Sequence, residues 1–87
     1  MKTVDTRKFR KNLEKLPPSD QISVLDALDA IELAESFSEV RHLKPLKGHK
    51  NFYRLRVGNY RIGLFWTGEV FSIEDVGPRG DFYKRFP

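Results

Sequence analysis

The stretch from Phe52 to Trp66 leaves this chain the least freedom. Its residues alternate with period two on both sides of Gly58-Asn59, a two-residue turn signal, and so specify a β-hairpin. With Gly58 and Asn59 as the loop, Val57 faces Tyr60, Arg56 faces Arg61, Leu55 faces Ile62 and Tyr53 faces Leu64. One face then carries Tyr53, Leu55, Val57, Tyr60, Ile62, Leu64 and Trp66, while the other carries Arg54, Arg56 and Arg61 around Gly63. The apolar face must be core. The second face sets two guanidinium groups opposite each other, which costs stability in a bare sheet and suggests that an anion belongs there.

At 87 residues the chain is expected to form one domain, residues 1–87, able to bury roughly 60 to 65% of its unfolded surface. A content of 39% apolar and 13% aromatic residues argues against disorder, although 32% are charged. Without cysteine there is neither a disulfide framework nor a thiolate metal site. No run resembles a signal-peptide core or approaches a membrane span, so a cytoplasmic protein without membrane contact is expected. The net charge of +4 is unevenly spread: residues 1–40 hold 6 Lys/Arg and 8 Asp/Glu, residues 41–87 hold 10 and 4. A basic sheet half favours a polyanion such as nucleic acid, or an acidic protein segment.

Along the chain, Lys2 to Val4 suit a short strand, and Asp5 or Thr6 can cap a helix whose apolar stripe is Phe9, Leu13 and Leu16. Lys8, Arg10, Lys11 and Lys15 flank that stripe, as a solvated face or as a nucleic-acid contact. Pro17-Pro18 stops the helix, and Ser19 offers an N-cap for a second, with Asp20 and Gln21 in its first turn. There Val24, Ala27, Leu28, Ile31 and Ala34 share one side. Asp26, Asp29, Glu32 and Glu35 read as a solvated acidic face rather than a metal site, since no histidine sits at ligand spacing.

From Phe37 to Asn51 the periodicity dissolves into a connection anchored by Leu43 and Leu46. Lys44, Lys47 and Lys50 with His42 and His49 make it basic, and His49 is a candidate acid or base near neutral pH. Thr67-Gly68 marks a second turn before a third antiparallel strand, Val70 to Val76. A two-residue loop there places Phe71 opposite Leu64, Ile73 opposite Ile62 and Glu74 opposite Arg61. Two glycines and a proline then make a bend before a short aromatic-basic tail. The expected fold is α+β: a two-helix antiparallel hairpin packed on one face of a small twisted antiparallel sheet of three to four strands, the other face basic.

Arg54, Arg56 and Arg61 share the open face, and Arg79 and Tyr83 follow the third strand, so four arginines and a tyrosine can converge. Guanidinium groups match phosphate oxygens and stabilise the extra charge of a phosphorane-like transition state. Tyrosine can stack on a base or transfer a proton. Because RNA brings its own nucleophile, the 2′-hydroxyl, such a site needs neither metal nor cofactor.

Three runs, Leu43-Lys-Pro-Leu-Lys-Gly48, Tyr53-Arg-Leu-Arg-Val-Gly-Asn-Tyr-Arg-Ile62 and Val76-Gly-Pro-Arg-Gly-Asp-Phe-Tyr-Lys84, closely resemble the RelE/ParE superfamily of toxins from type II toxin–antitoxin systems. The likeness extends over nearly the whole chain, including the helix pair joined at Leu16-Pro17-Pro18. In the RelE branch it implies an mRNA endoribonuclease acting in the ribosomal A site, with Arg54, Arg56, Arg61, Arg79 and Tyr83 as catalytic residues. Lys44, Lys47, His49, Lys50 and Lys84 are the accompanying candidates for RNA binding.

Many members carry histidine just before the arginine matching Arg79, where this chain has Pro78; proton transfer then falls to Tyr83, His49 or Asp81. The ParE branch, known for inhibiting DNA gyrase, shares the scaffold. An inactive homologue, with its arginines paired to Glu74 and Asp81, is the third reading. The resemblance also implies an acidic, partly disordered antitoxin as partner, in a possible hetero-oligomer, with mRNA and the ribosome as targets.

Overall fold

The hairpin forms as its alternation demands. In the computed structural model, which describes residues 1–87, β3 (Phe52–Val57) and β4 (Tyr60–Trp66) pair antiparallel with Val57 opposite Tyr60, Arg56 opposite Arg61, Leu55 opposite Ile62 and Tyr53 opposite Leu64. Gly58 takes the left-handed conformation (φ 57°) that the tight turn requires. Leu55, Ile62 and Leu64 are fully buried, and Tyr53, Val57, Tyr60 and Trp66 border them.

The short N-terminal strand forms as expected, shifted by one residue, and one further strand enlarges the sheet beyond the three to four expected. β1 (Thr3–Asp5) runs parallel to β5 (Phe71–Pro78), and β2 (Leu43–Pro45) adds antiparallel to β3, giving the order β1-β5-β4-β3-β2. The sheet is therefore mixed, with five strands. Sequence periodicity passes over β2 because three residues holding one proline show no alternation; its pairing with Tyr53, Arg54 and Leu55 supplies the order instead.

On the apolar face lie α1 (Arg7–Glu14) and α2 (Pro18–Leu33). Thr6 caps α1 by accepting the Phe9 amide (3.2 Å), and its hydroxyl donates to the Ile73 carbonyl (2.8 Å), tying the cap to β5. Ser19 does not cap α2: the helix opens two residues earlier than that cap implies, with Pro18 at its first position, where a missing N–H costs nothing. Phe9, Val24, Leu28 and Ile31 meet Phe71, Ile73 and Val76 in one core, closed at one end by Phe37 of a 3₁₀ turn (Phe37–Glu39) packed on Tyr53, Trp66 and Phe71.

The register of β5 departs from the expected one. Trp66 pairs with Phe71 and Leu64 with Ile73, so the second turn spans Thr67 to Val70 rather than two residues. An irregularity at Gly63/Leu64 then leaves Glu74 as an extra residue, after which Gly63 pairs with Asp75, Ile62 with Val76 and Arg61 with Gly77. Glu74 is thus not opposite Arg61, and its carboxylate accepts from the Ser72 hydroxyl instead.

The tail is a helix, α3 (Arg79–Arg85), and not an irregular segment. It returns over the polar face of the sheet with Phe82 buried, and the ring of Phe86, just beyond it, sits where a side chain on Gly63 would stand, 2.6 Å from an ideal Cβ. Phe52, Phe65, Phe82 and Phe86 form a second apolar cluster there. A third layer, α3, thus covers the polar face over β5 and β4 only, and that face stays open on the β2–β3 side.

Candidate nucleic-acid interface

The short strand β2 lays its polar side chain beside that of β3: Lys44 is directly opposite Arg54. Arg56 lies two residues closer to the turn on the same face and is exposed, as is Lys44. Immediately before β2, His42 adopts a left-handed backbone (φ 67°), uncommon for a residue other than glycine. This bend turns both its carbonyl and its ring toward the arginines. The carbonyl accepts from the Arg56 amide (3.3 Å) and Arg54 Nη1 (3.4 Å), and ring Nδ1 lies 3.0 Å from Arg56 Nη2.

The Arg56 charge, some loss of solvent, and the further charges of Arg41, Arg54 and Lys44 hold the His42 pKa below its ordinary 6.5. His42 was missing from the sequence-derived site. Nothing in its local sequence distinguishes it from His49; only strand pairing brings it to the arginines.

Arg61 behaves differently from its neighbours. It is only 8% exposed, and its Nη1 donates to the carbonyls of Gly58 (3.1 Å) and Tyr60 (3.0 Å), so it braces the hairpin turn. Its Nε is buried without a partner. Arg79 opens α3 beside that turn, its amide donating to the Asn59 carbonyl (3.0 Å), which places it at the Arg61 end of the sheet rather than the Arg54 end. Tyr83 projects from α3, 47% exposed, edge-on to Phe82. Lys84 is exposed on the same helix, while Lys47, His49 and Lys50 are exposed in the loop between β2 and β3. The compact group is therefore His42, Lys44, Arg54 and Arg56, with Arg79 at the turn and Arg61 beneath the surface.

Both ion pairs of the molecule go to Asp75, through Arg85 (2.8 Å) and Lys8 (3.7 Å). Burial acts to raise the Asp75 pKa, but hydrogen bonds from Arg85, Asn12 (2.6 Å) and the Val76 amide (2.8 Å), with the Arg85 charge, outweigh it and leave the carboxyl below its ordinary value. This carboxylate joins α1 to α3 under an open cleft of about 1120 Å³ that Arg7, Lys8, Lys11, Lys15 and Arg85 line. None of Arg54, Arg56, Arg61 and Arg79 is paired with a carboxylate, so the pairing to Glu74 and Asp81 that the inactive-homologue alternative invokes does not occur.

A five-stranded mixed sheet with two helices on one face, a third partly covering the other, and unpaired arginines along the open strands defines a small α+β domain with a cationic sheet edge. No protein-family model matches the chain. Toxin RelE3 of Methanocaldococcus jannaschii is 31% identical over 88 residues, spanning 100% of both chains. The toxin–antitoxin complex RelB–RelE from Methanococcus jannaschii superposes with a TM-score of 0.81 at 28% identity, covering 97% of this chain and 99% of that one. The RelE–RelB complex from Pyrococcus horikoshii OT3 gives 0.71 at 26% identity, covering 91% and 94%. The chain belongs to the RelE family of toxins from toxin–antitoxin systems.

Proposed function

We propose that this toxin is an mRNA endoribonuclease that acts in the ribosomal A site without a metal, the RNA 2′-hydroxyl being the nucleophile. The observation that carries the reading is the open β2–β3 edge, where Lys44, Arg54 and Arg56 stand without any carboxylate partner. Unpaired charges of one sign on adjacent strands repel one another and gain most from an anion that bridges them. A phosphodiester seated there would meet paired guanidinium donors, which bind its non-bridging oxygens more strongly as charge builds on them. Arg79 and Tyr83 would extend the contact along the strand, the tyrosine ring offering a base its face. Arg61 would strengthen the site indirectly by holding the turn from which Arg56 and Arg79 project, or by exchanging its carbonyl partners for phosphate.

The neutralising partner in this reading is an antitoxin with an acidic, partly disordered segment, attracted by the +6 excess of residues 41–87. RelB fills that place in the complexes of the related RelE proteins.

Arg56→Ala and Arg79→Ala test the assignment without disturbing the fold, since both side chains are exposed. On programmed ribosomes each is expected to slow cleavage by about 10²-fold. Induction in cells followed by mapping of RNA 5′ ends should give new ends within codons, absent from both variants. Intact mRNA together with lost DNA supercoiling would refute the nuclease reading and favour gyrase inhibition.

A further inference from the structure

We propose that His42 is the proton acceptor of this site, taking the 2′-hydroxyl proton from an RNA strand whose phosphate lies on Arg54 and Arg56. The inference rests on the nuclease reading and deepens it.

Arginine only donates, so the 3.0 Å contact fixes Nδ1 of His42 as the acceptor and puts the ring proton of the neutral form on Nε2. The lone pair that a general base needs is therefore already aimed at the phosphate-binding guanidinium. In RNA the 2′-hydroxyl is attached next to the 3′-phosphate, so a base beside that guanidinium is beside the nucleophile. His49, the other histidine, makes no side-chain hydrogen bond to either arginine.

The charged groups acting on the ring are Arg54 and Arg56 from β3, Lys44 from β2 and Arg41 from the preceding turn, with no carboxylate among them. They favour the neutral imidazole, the form in which it can accept a proton. When a phosphodiester draws Arg56 onto its oxygens, two things change together. The Nδ1 lone pair is released, and the anion offsets the cations that had suppressed its basicity.

The 2′ oxygen then attacks phosphorus as its proton passes to Nδ1. The P–O5′ bond breaks with its electron pair on the 5′ oxygen, which takes a proton from water, leaving a 2′,3′-cyclic phosphate. The imidazolium returns its proton to solvent. The left-handed backbone that sets this geometry is tolerated by asparagine and glycine, which makes clean variants available.

His42→Asn removes the base and keeps the backbone. Single-turnover cleavage on programmed ribosomes at saturating enzyme is expected to fall about 10²- to 10⁴-fold, with an unchanged melting temperature. The wild-type rate should rise with pH through the His42 titration and then level off, a limb that His42→Asn lacks. In His42→Gly, added imidazole should restore part of the rate, which a merely structural role does not allow. Cleavage by His42→Asn within about threefold of wild type, with the same pH limb, overturns the proposal.

A second measurement separates this outcome from failure of the nuclease reading. The His42 ring of the wild-type chain, followed by NMR, should titrate at higher pH once a 2′-deoxy-substituted RNA oligonucleotide is bound. No movement overturns the proposal even if the protein cleaves RNA. A ring that responds in a protein that cleaves nothing overturns the nuclease reading, and the proton-acceptor role with it.

Discussion

Asp75 shows how one side chain can hold two helices. Fully buried, it accepts from Asn12 on α1 and from Arg85 on α3. Its folded-state pKa lies below the ordinary 3.8, so the stabilisation is complete above that value and is lost as pH falls through the folded-state pKa. Asp75→Asn is expected to cost about 1–3 kcal/mol at neutral pH, discounted toward the lower end because Arg85 is partly exposed. Urea titrations should also show its stability falling less steeply than wild type as pH drops below the ordinary carboxylate value. An equally steep fall would place the acid sensitivity elsewhere.

At this scale the sequence was informative about residue type and silent about partners. Arg54 and Arg56 were legible as an open-face pair because alternation alone assigns them. The burial of Arg61 was not legible, because its side chain folds onto carbonyls of the turn. Nor was His42, whose neighbours are set by a strand pairing twelve residues away.

Among the elements, α3 makes the sharpest case. Its seven residues include a glycine and bury one phenylalanine, too little periodicity for a helix to be inferred. What makes it a helix is the surface under it: Gly63 removes a side chain from β4, and the Phe86 ring fills the space. Gly63→Ala is expected to displace that ring, costing about 1–3 kcal/mol, with amides of α3 losing protection from hydrogen exchange before those of β4. Uniform loss of protection across the sheet would mean that α3 docks independently of that contact. By contrast, β3 and β4 were legible to the residue. Their alternation continues through thirteen strand positions, and a one-residue slip would expose the whole apolar set.

For the molecule as a whole, charge follows architecture. The second helix, α2, carries acidic residues and no basic one, whereas residues 41–87 hold 10 Lys/Arg against 4 Asp/Glu, so the field has a direction before any ligand arrives. Binding of single-stranded RNA should weaken with salt, with a log–log slope of about −0.7 for each phosphate engaged. Lys44→Ala and Arg56→Ala should each make that slope shallower by about 0.7, and affinity measured across a salt series at constant pH checks this. A slope unchanged by both would remove the β2–β3 edge from the binding surface.

The extra residue in β5 decides which chemistry that field can reach. Up to Ile73 the odd-numbered positions face the core, and from Val76 onward the even-numbered ones do. Glu74 thus acts as a reading-frame shift written into three dimensions. Removing it would not shorten a loop. It would turn the lower half of a strand inside out, driving Asp75 and Gly77 into the oil of the core and presenting Val76 to Arg85. In this fold an insertion of one residue, and not any charged group, is what keeps the acid that anchors the third helix on the side where that helix lies.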